Sequence, residues 1–108
     1  MEYINKVEIR GRVGRASVTQ VNEKKQLRIS VYTERAYINK DGEAVCEPQW
    51  FNVTAFEGKR MADFESVQKG SVVHLFGRIR TIRYTDTYGN DRVSTEIIAD
   101  KLEVVYPE

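Results

Sequence analysis

Two large aromatic residues, Trp50 and Phe56, occupy positions of the same parity in the stretch QWFNVTAFEGK. The residues of opposite parity between them are apolar: Phe51, Val53 and Ala55. In a β-strand the two rows point to opposite faces, so burial of the apolar row leaves both aromatic rings exposed on one face. An exposed ring of this kind can stack on another flat ring, or it can be covered by a loop or a second subunit.

A second stretch whose side chains could bind a ligand covers residues 77–97, GRIRTIRYTDTYGNDRVSTEI. It combines basic with aromatic side chains. It carries Arg80, Arg83 and Tyr84 before a turn and Arg92 after it. Guanidinium groups present fixed N–H donors to anions such as phosphate. The alternative interpretation is a charged, solvated hairpin without a ligand.

The sequence offers no catalytic or metal-binding combination. Cys46 and His74 are the only residues of their types, which excludes a Cys/His zinc site within one chain. Asp86 and Asp91 flank the predicted hairpin tip, where turn geometry explains them better than acid catalysis does. The glycines of GRVGR lack the Lys-Thr or Lys-Ser ending of a phosphate loop, and relief of crowding in a curved strand explains them. We therefore predict a binding protein without enzymatic activity, cofactor, metal or small-molecule substrate.

Alternation of apolar and polar residues predicts five strands that position these side chains. Four strands are marked by the apolar rows Val7, Ile9 and Val13; Leu27, Ile29 and Val31; Phe51, Val53 and Ala55; Val73, Leu75 and Ile79. The fifth follows the DTYGND turn, runs towards Val105 and carries the row Val93, Thr95, Ile97 and Ala99. The outward parity of the strands includes Arg28, Arg78 and Arg80, where phosphates could be bound.

One segment, GKRMADFESVQKGS, predicts a helix between the third and fourth strands. Met61, Phe64 and Val67 are three residues apart, and Lys69-Gly70 is typical of a helix end. Five strands with one helix in this position are the order of an OB-fold, an all-β barrel that binds oligonucleotides. The loops joining strands one to two and two to three are then ASVTQVNEKK and AYINKDGEAVCEP, and residues 77–97 become the long hairpin between strands four and five.

The length of the chain predicts a single domain, and the distribution of its charge favours binding to a polyanion. The chain of 108 residues suffices for one core, so we predict a single domain over residues 1–108. The net charge of +1 conceals segregation, because residues 1–40 hold nine Lys or Arg against four Asp or Glu, and residues 69–92 hold five against two. No apolar run approaches the roughly 20 residues of a membrane span. The lone cysteine and the lack of a leader favour the cytoplasm.

Four motifs resemble the bacterial single-stranded DNA-binding proteins, and the likeness runs from about residue 4 to residue 106. They are INKVEIRGRVGR, QWFNVTAFEGK, KGSVVHLFGRIRT and YTDTYGNDRVSTEI. The last two are the most specific, because they hold many of the family's residues in order. The resemblance implies an OB-fold protein, associated with the nucleoid, that binds and protects single-stranded DNA in replication, recombination and repair. Base stacking tolerates any sequence, since every base has a π-face.

The resemblance also implies which residues contact the strand. Trp50 and Phe56 match positions whose rings stack on bases, while Tyr37 and Tyr84 stand where well-known members have tryptophan. Tyrosine keeps a flat ring with less stacking area, so we expect lower affinity per nucleotide. The implied phosphate contacts are Lys6, Lys40, Lys59, Lys69, Arg80, Arg83 and Arg92.

A homo-oligomer is the third implication, usually a tetramer, with a dimer as the alternative. Pairing of open strand edges between subunits would remove an aggregation hazard. We predict a subunit interface at His74 and Phe76, with a nucleic-acid site at the histidine as the alternative. Part of the hairpin at residues 77–97 is a second candidate for such pairing.

The end of the sequence leaves two interpretations open. Family members usually continue into a Gly/Gln/Pro-rich linker and an acidic tip, whereas these residues end at KLEVVYPE. The chain is then either a trimmed domain or similar to a tail-less primosomal protein of the PriB type. An OB-fold adaptor that binds proteins is the remaining alternative.

Overall fold

A computed structural model describes residues 2–106, which form five β-strands and one short 3-10 turn. The strands are β1 (Val7–Val21), β2 (Lys24–Ile38), β3 (Ala44–Phe56), β4 (Val72–Thr85) and β5 (Asp91–Val105). They close into a barrel in the order β1-β2-β3-β5-β4. Neighbours are antiparallel except β3 and β5, which join in parallel through Val53↔Ile97 and Thr54↔Ile98. The five-stranded OB-fold predicted from the sequence is confirmed.

The core fills the inside of this barrel. The largest fully buried side chains are Leu27, Leu75, Leu102, Val13, Val31, Val53 and Val73. Burial of each such side chain contributes roughly 1.5 to 3 kcal/mol. Because a one-residue slip would turn these side chains outward, the core also fixes which residues the strands present to solvent.

Two of the predicted loops are mostly strand. β1 and β2 meet at a tight turn in which Asn22 has a φ of 57°, a conformation that asparagine tolerates. β2 and β3 extend to residues 39–43, where the Asn39 carboxamide oxygen accepts the N–H groups of Asp41 and Glu43, both at 2.9 Å. Both stretches contain residues typical of turns. The polar residues on either side of each turn are paired as β-strands, so each hairpin extends past the core.

The segment between β3 and β4 holds only the 3-10 turn Phe64–Ser66, so the longer helix predicted there is wrong. The apolar spacing does indicate burial, since Phe64 and Val67 both enter the core. The backbone just before the turn forms its hydrogen bonds with β5 instead, because the Ala62 N–H donates to the carbonyl of Leu102 at 2.8 Å. Backbone groups engaged with β5 cannot also form helical hydrogen bonds, and a single turn remains.

β4 and β5 project beyond the barrel as a hairpin, residues 77–97, called the arm below. The pairing of β4 with β1 ends at Val7↔Gly77, so the arm has no barrel interior to cover. Ile79, expected to point into the core, is therefore 48% exposed, and Val93 is 62% exposed. The alternation continues along the arm, but of its two faces only Ile97, next to the barrel, is buried in the core.

Candidate nucleic-acid interface

A cleft of about 820 Å³ is lined by residues of β1, β2 and β3 together with Ile82, Tyr84, Ser94 and Glu96 of the arm. All five strands contribute to it. The aromatic, charged and carboxamide side chains of the lining are Arg15, Arg28, Trp50, Asn52, Tyr84 and Glu96. Aromatic rings, guanidinium groups and one carboxylate thus share a single open surface.

Trp50 rests against a gap that glycine leaves in β1. The residue is 59% exposed, as the alternation along β3 predicts. A Cβ at Gly14 would lie 2.4 Å from Cζ3 and 2.5 Å from Cη2 of the indole, so a larger residue there would displace the ring. The Tyr32 ring lies 5.2 Å away, tilted by 58°. These two neighbours orient the indole while most of it stays accessible to a planar ligand.

Tyr32 is itself held by a small polar cluster that the sequence interpretation missed. Its hydroxyl donates to Glu34 Oε2 at 2.8 Å, and the Cys46 thiol donates to the same oxygen at 3.3 Å. Hydrogen bonds from the tyrosine first and the thiol second hold the pKa of Glu34 below its ordinary value of 4.5. The carboxylate in turn raises the pKa of Tyr32 and of Cys46. The carboxylate thus stays charged on the binding face and orients Tyr32 beside Trp50.

The other three predicted stacking residues are exposed, but they do not form one row. Tyr84 is 50% exposed and lines the same cleft as Trp50. Phe56 lies six residues further along β3, about 20 Å from Trp50 at ~3.3 Å per residue, beside the β1–β2 turn. Tyr37 has the opposite parity to Tyr32 on β2, which puts it on the other face of the β2–β3 ribbon. A strand that met all four rings would have to turn around the ribbon.

Four predicted phosphate contacts lie in loops or beside strands. Lys6 precedes β1, Lys40 is in the β2–β3 turn, Lys59 follows β3 and Lys69 precedes β4. All are exposed, and within the described residues 2–106 the lining of the cleft includes none of them. They surround the barrel rather than forming one patch, so each would meet the backbone of a ligand at a different point of its path.

Arg80 is tied to a nearly buried carboxylate at the base of the arm. Its Nε donates to Glu96 Oε1 at 3.0 Å, and its Nη2 donates to the same oxygen. The second oxygen of Glu96 accepts the Thr54 hydroxyl at 2.9 Å, and Thr54 is only 2% exposed. The glutamate side chain is 11% exposed and the arginine side chain 51%. The Glu96 carboxylate, held in place by Thr54 on β3, therefore binds one edge of the Arg80 guanidinium.

Arg92 is paired in the same way at the tip of the arm. Its Nε donates to Asp86 Oδ2 at 2.9 Å. The other oxygen of Asp86 accepts the backbone N–H groups of Tyr88 and Asn90, which confirms its role in the turn. Arg92 first, and these backbone groups with it, hold the pKa of Asp86 below its ordinary value of 3.8. Among the three predicted arginines of the arm, Arg83 forms no ion pair within residues 2–106.

Two further cations line the cleft, and one of them breaks the alternation. Arg28 lies on the outward parity of β2, as predicted. Arg15 has the parity of the buried Val13, but a register shift at Gly14 turns it outward opposite Ser30. The only sequence signal for this bulge is the glycine itself. These two arginines are absent from the residues carried over by resemblance, and they line the same cleft as the exposed indole.

Comparison with known proteins decides the family. The sequence matches the Single-strand binding protein family over residues 4–105. The chain belongs to this family. Two curated relatives carry the name single-stranded DNA-binding protein. One, from Neisseria meningitidis, is 27% identical over 94% of this chain and 60% of its own length. The other, from Bacteroides thetaiotaomicron, is 35% identical over 70% of this chain and 48% of its own length. The chain thus spans only part of the length of these single-strand binding proteins.

Solved structures of single-strand binding proteins share the fold. The Plasmodium falciparum SSB in complex with ssDNA aligns with a TM-score of 0.80 over 100% of this chain and 98% of that one, at 19% identity. A Thermus aquaticus single-stranded DNA binding protein variant gives a TM-score of 0.78 over 95% of this chain and 51% of that one, at 16% identity. Both likenesses support the OB-fold independently of the sequence motifs.

Membership of the single-strand binding protein family makes the chain a binding protein rather than an enzyme, as predicted. In the part of the chain that the structure describes, no group of three or more His, Cys, Asp or Glu side chains is arranged to hold a metal ion. Over the same residues, 2–106, the chain forms no helix with the length and apolar character of a bilayer span.

The outer face of β1 and β4 carries the pair predicted to lie between subunits. His74 Nε2 lies 2.6 Å from Glu8 Oε2, and the His74 ring lies 4.8 Å from that of Phe76. The ammonium of Lys101 is 5.7 Å from the Phe76 ring. Both ring residues thus have partners within the chain and are only half-buried by them. The subunit interface at this face stays a prediction.

Proposed function

We propose that this protein binds single-stranded DNA without regard to sequence and protects exposed strands in replication, recombination and repair. The observation that carries the proposal is one cleft lined by Trp50 and Tyr84 together with Arg15 and Arg28. Exposed aromatic rings held in a fixed orientation can stack on unpaired bases. Guanidinium groups beside the rings can donate hydrogen bonds to the phosphates between those bases. The names of the relatives point to the same ligand.

The bases stack on four rings along the path of the strand. Trp50 and Tyr84 act within the cleft, Phe56 at the end of the β3 row, and Tyr37 on the far face of the β2–β3 ribbon. Each stacked base contributes roughly 1 to 3 kcal/mol, and a π-face is common to all bases. Duplex DNA is disfavoured because its bases are already stacked on each other and cannot reach the rings.

The phosphates meet cations placed around the barrel. In addition to Arg15 and Arg28 in the cleft, the proposed contacts are Lys6, Lys40, Lys59, Lys69 and Arg83, together with Arg80 and Arg92, which also hold the carboxylates of Glu96 and Asp86. Release of counterions from the strand drives this part of the binding and makes it dependent on salt. Engagement of roughly four to six phosphates per subunit corresponds to a slope of log affinity against log salt of about −3 to −4.

The protein acts in the cytoplasm, on the nucleoid, as a homo-oligomer. A tetramer is the preferred assembly and a dimer the alternative, with the face around His74 and Phe76 as the proposed contact. Half-exposed aromatic residues on a sheet face favour association with a second copy, and so do the strand edges of the arm, which within residues 2–106 pair with no other strand beyond the barrel. Light scattering with and without oligo-dT measures the assembly and its response to the strand.

A competition experiment tests the proposal. Fluorescently labelled oligo-dT is bound at low salt and displaced by unlabelled single strand of mixed sequence or by the matching duplex, with anisotropy as the readout. We expect single strands of any sequence to compete and the duplex to compete poorly, and we expect Trp50→Ala to weaken the complex. Equal competition by duplex, or no binding of oligo-dT, would contradict the proposal and favour a protein-binding adaptor.

A further inference from the structure

Two of the arginines that the sequence assigns to phosphate already hold carboxylates. Arg80 donates through Nε and Nη2 to Glu96, and Arg92 donates through Nε to Asp86. Both acids belong to the arm itself, and both side chains are largely buried, at 11% for Glu96 and 18% for Asp86. Each carboxylate occupies donors on the Nε side of a guanidinium, which is one of the edges through which the arginine would bind a phosphate.

The carboxylates cannot easily leave these positions. Glu96 is anchored by the hydroxyl of Thr54, which is itself 2% exposed. Asp86 accepts the backbone N–H groups of Tyr88 and Asn90, both at 2.9 Å, and so forms part of the turn. If a phosphate pulled the arginine away, a mostly buried carboxylate would lose its partner, which is strongly unfavourable. A strand that reaches the arm therefore meets ion pairs without net charge.

We propose that Glu96 and Asp86 mask Arg80 and Arg92, and so hold the affinity of the arm for single-stranded DNA below the value that its arginines alone would give. The proposal rests on the function proposed above and specifies its regulation within the binding face. Glu96 and Asp86 are positioning residues, since they act on the strand through the arginines. The exposed Arg83, which forms no ion pair within residues 2–106, is then the main cation of the arm for phosphate.

The salt dependence of binding separates masking from a merely structural role. A cation newly available to phosphate steepens the slope of log affinity against log salt by about 0.7. Glu96→Gln and Asp86→Asn keep size and one acceptor oxygen but free the arginine, so each should steepen the slope by about 0.7 and tighten binding of oligo-dT at low salt. The matched control is Asp91→Asn, which removes the same charge from the arm at a carboxylate that accepts the Thr85 hydroxyl at 3.3 Å and, within residues 2–106, forms no ion pair with an arginine. Its slope should stay at the wild-type value.

The dependence on the arginine completes the test. In the double variant Arg80→Gln with Glu96→Gln, the slope should return to the wild-type value, because the freed cation is gone. Masking is overturned if Glu96→Gln and Asp86→Asn match Asp91→Asn, or if the steepening persists without Arg80. Thermal unfolding checks that each variant is folded. If Glu96→Gln fails to fold, Asp86→Asn, at the tip of the arm and away from the core, decides on its own, with Arg92→Gln as its double-variant partner.

Elution from immobilised heparin separates this inference from the proposed function. Heparin is a polyanion without bases to stack, so masked arginines affect its binding whatever the biological ligand is. Glu96→Gln and Asp86→Asn should elute at higher salt than Asp91→Asn. If the wild-type protein fails to bind oligo-dT, the proposed function is wrong, and the order of elution still supports or overturns masking.

Discussion

Replacement of Gly14 by alanine should impair strand binding although the new side chain touches no ligand. The Cβ would lie 2.4 Å from Cζ3 of Trp50, whereas carbon atoms prefer separations of about 3.5 Å or more. The indole must therefore move by roughly 1 Å, away from the position that Gly14 and Tyr32 define. The backbone itself accepts alanine, because Gly14 is not among the glycines with positive φ.

The expected loss is part or all of one stacking interaction. Stacking contributes roughly 1 to 3 kcal/mol per base, so the affinity of Gly14→Ala for oligo-dT should fall by about 5-fold to about 140-fold. The melting temperature should change little, because the ring that moves is largely exposed. Anisotropy of labelled oligo-dT gives the affinity, and the emission maximum of Trp50, the only tryptophan, reports displacement of the ring.

A matched control and a double variant complete this test. Gly58→Ala adds the same methyl group at a site with no atom within 4 Å and should leave binding unchanged. In a Trp50→Ala background, Gly14→Ala should have no further effect, because the two changes act through the same ring. An unchanged affinity for Gly14→Ala, or an equal loss in the absence of Trp50, would refute the idea that glycine seats the indole.

Three other predictions concern the roles of Trp50 and Val53, the phosphate contact of Arg28 and the pKa of Asp86. Trp50→Ala should weaken oligo-dT binding without lowering the melting temperature, whereas Val53→Ala, which empties a site that is 1% exposed, should cost roughly 2 kcal/mol of unfolding free energy in denaturant titrations and leave the binding face intact. Arg28→Gln should flatten the salt slope by about 0.7, measured by fluorescence titration; an unchanged slope would remove Arg28 from the phosphate contacts. The pKa of Asp86 lies below its ordinary 3.8, so its ion pair with Arg92 stabilises the folded state above the unfolded pKa and is lost only as the pH falls through the lower folded value. Carbon NMR of the carboxyl group during acid titration checks this, and a midpoint at or above 3.8 would contradict it.

Alternation was sufficient to predict the faces of the barrel strands. A closed barrel has one interior, so the row Phe51, Val53 and Ala55 could only point inward, and Trp50 and Phe56 outward. Alternation failed where the chain leaves the barrel, at Ile79, because β1 pairs with β4 only as far as Gly77 and leaves the Ile79 side chain 48% exposed. It failed again at Arg15, because the bulge at Gly14 changes the parity and a bulge has no apolar pattern of its own.

The ion pairs of the arm were within reach of the sequence. With Asp86–Asn90 as the turn, Thr85 pairs with Asp91, and counting five residues back along each strand brings Arg80 opposite Glu96. What the sequence could not supply is the depth of Glu96, since its hydrogen bond to Thr54 depends on the parallel closure of β3 with β5. The helix prediction failed for a similar reason. The backbone hydrogen bond from the Ala62 N–H to the Leu102 carbonyl joins residues that are far apart in the chain.

The most direct test of the central claim is a titration of oligo-dT against the emission of Trp50 over a range of salt concentrations. Stacking of bases on the exposed indole predicts strong quenching at low salt. It also predicts an affinity that falls with salt at a slope of about −3 to −4 per subunit. Binding without quenching would remove Trp50 from the contact surface, and absence of both quenching and salt-dependent binding would contradict single-strand binding altogether.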